Sequence, residues 1–215
     1  MSDPPRSGTI QNPQSTSQIT LRMNRTDRAY DKRRDWLRDA ERLDLAVYAA
    51  IAKTPTPALD TAMSRLTRAA DYSKISIGAS ALLAGLGGRA GRRAARNGLI
   101  SLGVTALVAN AVLKQLGRRE RPDRLAEEVP LARQTRMPIS TSFPSGHSAT
   151  AFAFANGVGH VLPTASIPLY ALAALVAYSR VHTGVHFPGD VIAGALAGTV
   201  LAELTTHELD RRVLG

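Results

Sequence analysis

Cysteine is missing from all 215 residues, which excludes disulfides, thiolate nucleophiles and cysteine-built zinc sites. The opening residues are polar and have no apolar h-region, so they do not read as a cleaved signal peptide. Charged residues are lean at 20 %, yet unbalanced: a net +10 and a pI near 10.8 favour an anionic partner, whether nucleic acid, anionic lipid or a phosphorylated substrate. Long apolar runs are lacking too. Each apolar block is near or below the ~17 residues that a membrane crossing needs. A mean hydropathy of -0.08 would suit a soluble protein, but that average mixes a polar N-terminus with apolar blocks separated by Arg clusters.

The first 20 residues, rich in Ser, Thr, Gln and Pro, have little to bury and read as a disordered tail. From Arg22 to Arg42 eight basic residues follow, with a helix expected around Asp35 to Arg42 that can lie on an anionic membrane surface. This divides the chain into a polar, partly disordered basic tail, residues 1–42, and a membrane-embedded domain, 43–209. Leu43 to Ala52 is apolar but short, Lys53 to Pro57 interrupts it, and Ala58 to Ala70 has Leu59, Met63 and Leu66 at helical spacing. That stretch forms either an interfacial hairpin or one irregular span. Five further blocks follow: Tyr72 to Gly87, Asn97 to Leu113, Ser148 to Leu162, Ile167 to Tyr178 and Val191 to Leu204. Five in succession, with Gly194 and Gly198 four apart, predict an all-α integral membrane bundle of five or six transmembrane helices. Arg89 to Arg96 reads as a cytoplasmic turn between two of them.

Three polar clusters fall at the ends of these blocks. Lys114 is followed after six residues by Arg121-Pro122; if the helix continues past Leu113, Lys114, Arg118 and Arg121 share one face, and Pro122 stops it. Pro144-Ser145-Gly146-His147 stands at a helix start, where unpaired N–H groups and the peptide dipoles favour an anion. Ser179-Arg180, then five residues, His186, three residues and Asp190 form the third cluster, with Pro188 placed to open a helix. Asp190 there can accept a hydrogen bond from His186 and fix its tautomer.

With these three clusters in order, the sequence closely resembles the type 2 phosphatidic acid phosphatase (PAP2) superfamily, integral-membrane lipid phosphatases related to vanadium haloperoxidases. The resemblance covers roughly residues 72 to 205. It implies His186 as nucleophile, Asp190 as its orienter, and His147 as the acid for the leaving oxygen and later the base for water. It further implies that Lys114, Arg121, Arg180, Ser145 and the Gly146 amide hold the phosphoryl oxygens. Such a set suits phosphoryl transfer, which needs an in-line nucleophile, a leaving-group acid and dense positive charge.

Rival readings explain less. His182 and His186 have the spacing of a helical zinc pair, with His147 as a third ligand, but HTGVH lacks the HExxH glutamate and runs into Pro188. Magnesium chemistry wants grouped carboxylates, and beyond Leu113 the few acids, apart from Asp190 in the motif and a C-terminal group, lie in the loop from Glu120 to Glu128. No metal and no cofactor are therefore expected. A membrane scaffold would have no need to keep His147, Arg180 and His186 together, and no nucleic-acid-reading module is recognisable. The expected partners are a lipid phosphate or diphosphate, polyprenyl carriers before phosphatidylglycerol phosphate or phosphatidic acid, together with anionic membrane lipids. Self-association is left open. The family usually faces its site away from the cytoplasm, and a sixth crossing from Leu43 to Ala70 would return the basic N-terminus to the cytoplasm.

Overall fold

Pro13 opens a long helix, α1 (Pro13–Lys53), at the first of the residues described by the structure, a computed structural model covering residues 13–214. Of the expected disordered tail, residues 1 to 12 lie outside the described residues; from Pro13 the backbone is helical, joining the basic and apolar stretches into one element. The chain divides into two units between Leu43 and Asp44.

Thr54 to Thr56 break the chain, and Pro57, at the first position where a missing N–H costs nothing, starts α2 (Pro57–Ala70). Both ends of this stretch meet the same end of the bundle: Thr54 and Thr56 bond Arg133, and Asp71, just past α2, bonds His147. Asp44, at the start of the apolar run, meets Gly189 N–H and Arg119 at that end too, so the stretch from Leu43 to Ala70 is laid over one end of the bundle as in the hairpin alternative. Apolar and polar contacts both hold it there: Tyr48 and Ala52 are buried in a cluster with Ala177, Val181 and Val191. Arg133 is fully buried, with Nε 2.7 Å from Asp60 Oδ1, and His182 Nε2 is 3.0 Å from the same oxygen.

The bundle proper consists of α3 (Lys74–Leu86), α4 (Gly88–Leu116), α5 (Gly146–Gly159), α6 (Pro163–His182) and α7 (Pro188–Leu214). Among the described residues there is no strand. The expected turn at Arg89 to Arg96 is instead the first two turns of α4. Arginine is a good helix former, and Gly88, at φ +59°, takes the left-handed turn that lets the helix begin one residue earlier. Packing is close because small residues face one another. A side chain at Gly98 would stand 2.7 Å from Val158, and one at Gly157 would stand 2.7 Å from the Ser101 hydroxyl. Gly194 and Gly198 lie against the carbonyls of Ser145 and Ala149, so the four-residue ridge of α7 fits the first turn of α5.

The outer faces are apolar. Leu82, Leu107, Ile167, Leu196 and Val200 are exposed on α3, α4, α6 and α7, whereas Ser101, Thr105, Ser148 and Thr206 are buried. That inversion suits hydrocarbon around the bundle, not water. Two helices, α4 and α6, are each long and apolar enough to cross a membrane.

Candidate active site

At the end of the bundle covered by the hairpin, three chain segments converge: the end of α4 with the irregular run after it, the start of α5, and the α6–α7 loop. Two backbone bonds join them, Ser142 N–H to the Arg119 carbonyl and Ser145 N–H to the Asp190 carbonyl, both 2.9 Å. The helix carrying Lys114 ends at Leu116, well before Pro122, because five residues of π-helix, Ala109–Leu113, loosen it and Gly117 leaves helical geometry. Lys114, Arg118 and Arg121 therefore do not share a helix face. Lys114 and Arg121 still meet, through Ser140: Lys114 Nζ donates to its hydroxyl at 3.0 Å and Arg121 Nη2 at 3.3 Å.

His186 is buried in the α6–α7 loop, and its two ring nitrogens face opposite partners. Nε2 lies 3.3 Å from Arg121 Nη1; a guanidinium can only donate, so this nitrogen holds a lone pair. The ring proton then resides on Nδ1, 3.2 Å from Ser142 Oγ, and Ser142 in turn donates to Asp190 Oδ2 at 2.5 Å. Asp190 stands 3.6 Å from His186 Nδ1, beyond a good hydrogen bond, so the direct pairing expected from sequence is relayed by a serine. Asp190 also accepts from Phe187 N–H at 3.0 Å and Arg119 Nη1 at 3.1 Å. Burial first, then Arg121 and Arg180, push His186 down to about 4 against the opposing pull of Asp190, so the ring is neutral near pH 7.

Arg121 is fixed on all sides by carbonyls. Its Nε donates to Ser140 O, Nη1 to Val185 O and Nη2 to Thr141 O, at 2.8, 2.9 and 3.2 Å. Arg180 is 2 % exposed; Nη1 donates to Thr67, and Nε has no acceptor among the described residues. A buried guanidinium N–H left unpaired is costly, and an anionic oxygen would satisfy it.

His147, in the first turn of α5, separates two cavities. One, of about 370 Å³, is lined by Asp71, Tyr72, Arg136, Met137, Pro138, Ile139 and Arg180; the other, of about 220 Å³, includes Lys114 and Gly146. Gly146 leaves its surroundings open, the nearest atom to a Cβ there being Lys114 Nζ at 3.9 Å. Ser145 is different. It is fully buried, and its hydroxyl is the N-cap of α5, meeting Ser148 N at 3.4 Å and Ser148 Oγ at 3.1 Å. In both bonds the Ser145 oxygen accepts, so capping the helix leaves its own O–H proton uncommitted.

His186, Asp190, Arg121, Lys114, Arg180, His147 and Gly146 are thus gathered at one end of the bundle. His182 is turned aside to Asp60 and Tyr178, which separates it from His186. Sequence reading missed Ser142, Ser140 and Arg119 as site residues. Ser142 opens the SFPSGHS run and Arg119 lies between Lys114 and Arg121, so both stood inside the motifs without a chemistry that singled them out. Arg119 ties Asp190 to Asp44 at 2.6 Å and covers the Phe187 ring at 4.0 Å.

Comparison with known proteins adds the following. The family model described as PAP2 superfamily matches residues 97–213. Decaprenylphosphoryl-5-phosphoribose phosphatase of Mycobacterium tuberculosis is 35 % identical over 130 residues, covering 57 % of this chain and 67 % of that protein. Putative undecaprenyl-diphosphatase YbjG of Escherichia coli is 32 % identical over 162 residues, covering 74 % and 79 %. Among solved structures, Aquifex aeolicus LpxE superposes with a TM-score of 0.63 at 26 % identity, covering 77 % of this chain and 95 % of the other. The transmembrane PAP2 type phosphatidylglycerolphosphate phosphatase from Bacillus subtilis gives 0.63 at 28 % identity, covering 80 % and 87 %.

Proposed function

The chain belongs to the PAP2 superfamily, and from that premise we propose that this membrane lipid phosphatase hydrolyses a polyprenyl diphosphate or phosphate through a phosphohistidine on His186. The observation that carries this reading is the polarity of His186: a lone pair at Nε2 beside Arg121, and a proton at Nδ1 backed by Ser142 and Asp190. In the first displacement Nε2 attacks phosphorus, the bond to the leaving oxygen breaks, and His147 gives that oxygen its proton. Arg121, Arg180, Lys114 and the Gly146 N–H spread the charge of the three equatorial oxygens. His147 then takes a proton from water, whose oxygen attacks phosphorus, and the N–P bond breaks to release phosphate and free His186. Every step uses side chains of this chain and needs no metal.

Polyprenyl substrates are favoured by relatives named for decaprenyl and undecaprenyl carriers, and a glycerolipid phosphate is the second reading because of the Bacillus subtilis structure. Purified protein in detergent with EDTA is expected to show kcat/KM at least tenfold higher on a polyprenyl diphosphate than on phosphatidylglycerol phosphate, a gap of about 1.4 kcal/mol. A tenfold preference the other way reverses the order. No phosphate release from either, or from other lipid phosphates, overturns the phosphatase assignment.

The reading includes five crossings, α3 to α7, with the site facing away from the cytoplasm. Arg89, Arg92, Arg93 and Arg96 adjoin the α3–α4 turn, and Arg211 and Arg212 close α7, all at the end opposite the site; Arg93 and Asp210 meet there at 3.3 Å. Positive charge directly beside crossings marks the cytoplasmic side and suits anionic headgroups, whereas the basic stretch from 22 to 42 lies more than ~20 residues before α3. Single cysteines at positions 90 and 130 are expected to label from opposite sides of intact cells, only position 130 reacting with an impermeant reagent. Labelling at position 90 alone inverts the topology.

A further inference from the structure

Asp71 belongs to none of the three motifs, yet its Oδ1 lies 3.1 Å from His147 Nε2 and 3.9 Å from Arg180 Nη1. It opens a single turn of 3-10 helix, Asp71–Ser73, between α2 and α3. Tyr72 and Ser73 in that turn both have φ of 57°, a left-handed backbone that residues bearing a Cβ rarely adopt. Two such residues in succession turn the chain sharply and set the carboxylate over the start of α5. Asp71, His147 and Arg180 then line the same cavity of about 370 Å³.

The charges facing His147 come from several elements. Arg180 approaches from α6, Lys114 from α4 across the smaller cavity, His186 from the α6–α7 loop, and Arg136, in the run before α5, lines the larger cavity with His147. Arg180 and Lys114 disfavour a protonated imidazole, as does His186 whenever it is charged. Asp71 is the carboxylate that opposes them. We propose that Asp71 is the positioning residue of His147: its carboxylate holds Nε2 toward the cavity and favours the charged form of the ring, the form that hands a proton to the leaving oxygen. This rests on His147 being the acid of the proposed reaction. In the first displacement the Nε2 proton passes from its bond with Asp71 to the leaving oxygen, leaving a neutral ring. In the second, water returns a proton to Nε2 and the pairing with Asp71 is restored.

Asp71→Asn keeps the size and removes the charge. Against a lipid monophosphate, whose leaving oxygen is an alkoxide, kcat is expected to fall roughly 10–100-fold. Without the carboxylate the imidazolium loses its proton more readily, so the alkaline limb of the kcat profile moves to lower pH by about one unit. With p-nitrophenyl phosphate, whose leaving group needs no proton, most of the rate and the trapped phosphohistidine remain. Asp71→Glu restores the limb at least in part. An unmoved limb with equal loss on both substrates assigns Asp71 a structural role only and overturns the proposal, as does an Asp71→Asn enzyme that matches the wild type. If Asp71→Asn does not fold, Asp71→Ser decides by the same readouts: a limb moved to lower pH with the loss concentrated on the lipid monophosphate supports the coupling, and an unmoved limb with equal loss on both substrates contradicts it. Wild-type protein inactive on both substrates would instead strike the phosphatase reading itself.

Discussion

His186→Ala is expected to abolish turnover of every lipid phosphate, lowering kcat by ~10⁴-fold or more, and to leave no phosphoenzyme. The loss extends across substrates because the missing atom is the attacking nitrogen, whose role does not depend on the leaving group. The ring is held by Arg121 on one side and by Ser142 and Asp190 on the other, and no second imidazole faces those partners. The same residue sets the acidic limb of kcat/KM. A nucleophile must be neutral, so activity is lost as pH falls through its folded value, which burial and two guanidiniums depress to about 4. Wild-type activity should therefore persist well below the ordinary histidine value of about 6.5 and decline only as pH approaches that lower value. A limb near 6.5, with the fold intact by circular dichroism, would assign a different environment to this ring.

His147→Ala should fail differently. The nucleophile remains, so the loss depends on how much the leaving oxygen needs a proton: ~10²–10⁴-fold for an alkoxide, and markedly less for p-nitrophenolate or the inner phosphate of a diphosphate. Phosphohistidine formed from an activated ester should accumulate, because the base that activates water for the second displacement is also missing. Steady-state rates and quenched phosphoenzyme levels on good and poor leaving groups check this. Equal damage whatever the leaving group would remove the acid role from His147.

These residues could be read from sequence because each motif is local: Pro144 to His147 occupies one helix start, and Ser179 to Asp190 spans one loop and its flanking turns. The supports of these residues were not legible. Ser142 meets Asp190 across 48 residues, Arg119 meets Asp190 across 71, and Asp71 meets His147 across 76. A serine, an arginine and an aspartate in ordinary polar segments carry no mark of those pairings until the bundle brings them together. Ser145 has a second role that its motif did not announce: its hydroxyl oxygen caps α5 by accepting from Ser148.

In the fold, the helices were visible as apolar blocks, but their limits were set by glycine and by local winding. Gly88 moved the α3–α4 turn ahead of the arginines, and the π-helical turn from Ala109 to Leu113 carried Lys114 into the site without a composition signal. The stretch from Leu43 to Ala70 left a hairpin and an irregular span both open, because the partners of its polar residues lie far along the chain: Asp60 binds Arg133 and Thr67 binds Arg180 at one end of the bundle, beside the apolar cluster of Tyr48 and Ala52.

The central claim, a covalent phosphohistidine at this site, is tested most directly by quenching the full-length protein in detergent with EDTA during turnover of a polyprenyl diphosphate, under alkaline conditions that preserve phosphoramidates, and mapping the phosphorylated residue by mass spectrometry. The expected result is phosphate on His186 alone, at Nε2, enriched in the His147→Ala protein and absent from His186→Ala. Turnover at an unchanged rate with phosphate on another residue, or with none trapped on His186 even in the His147→Ala protein, would contradict it.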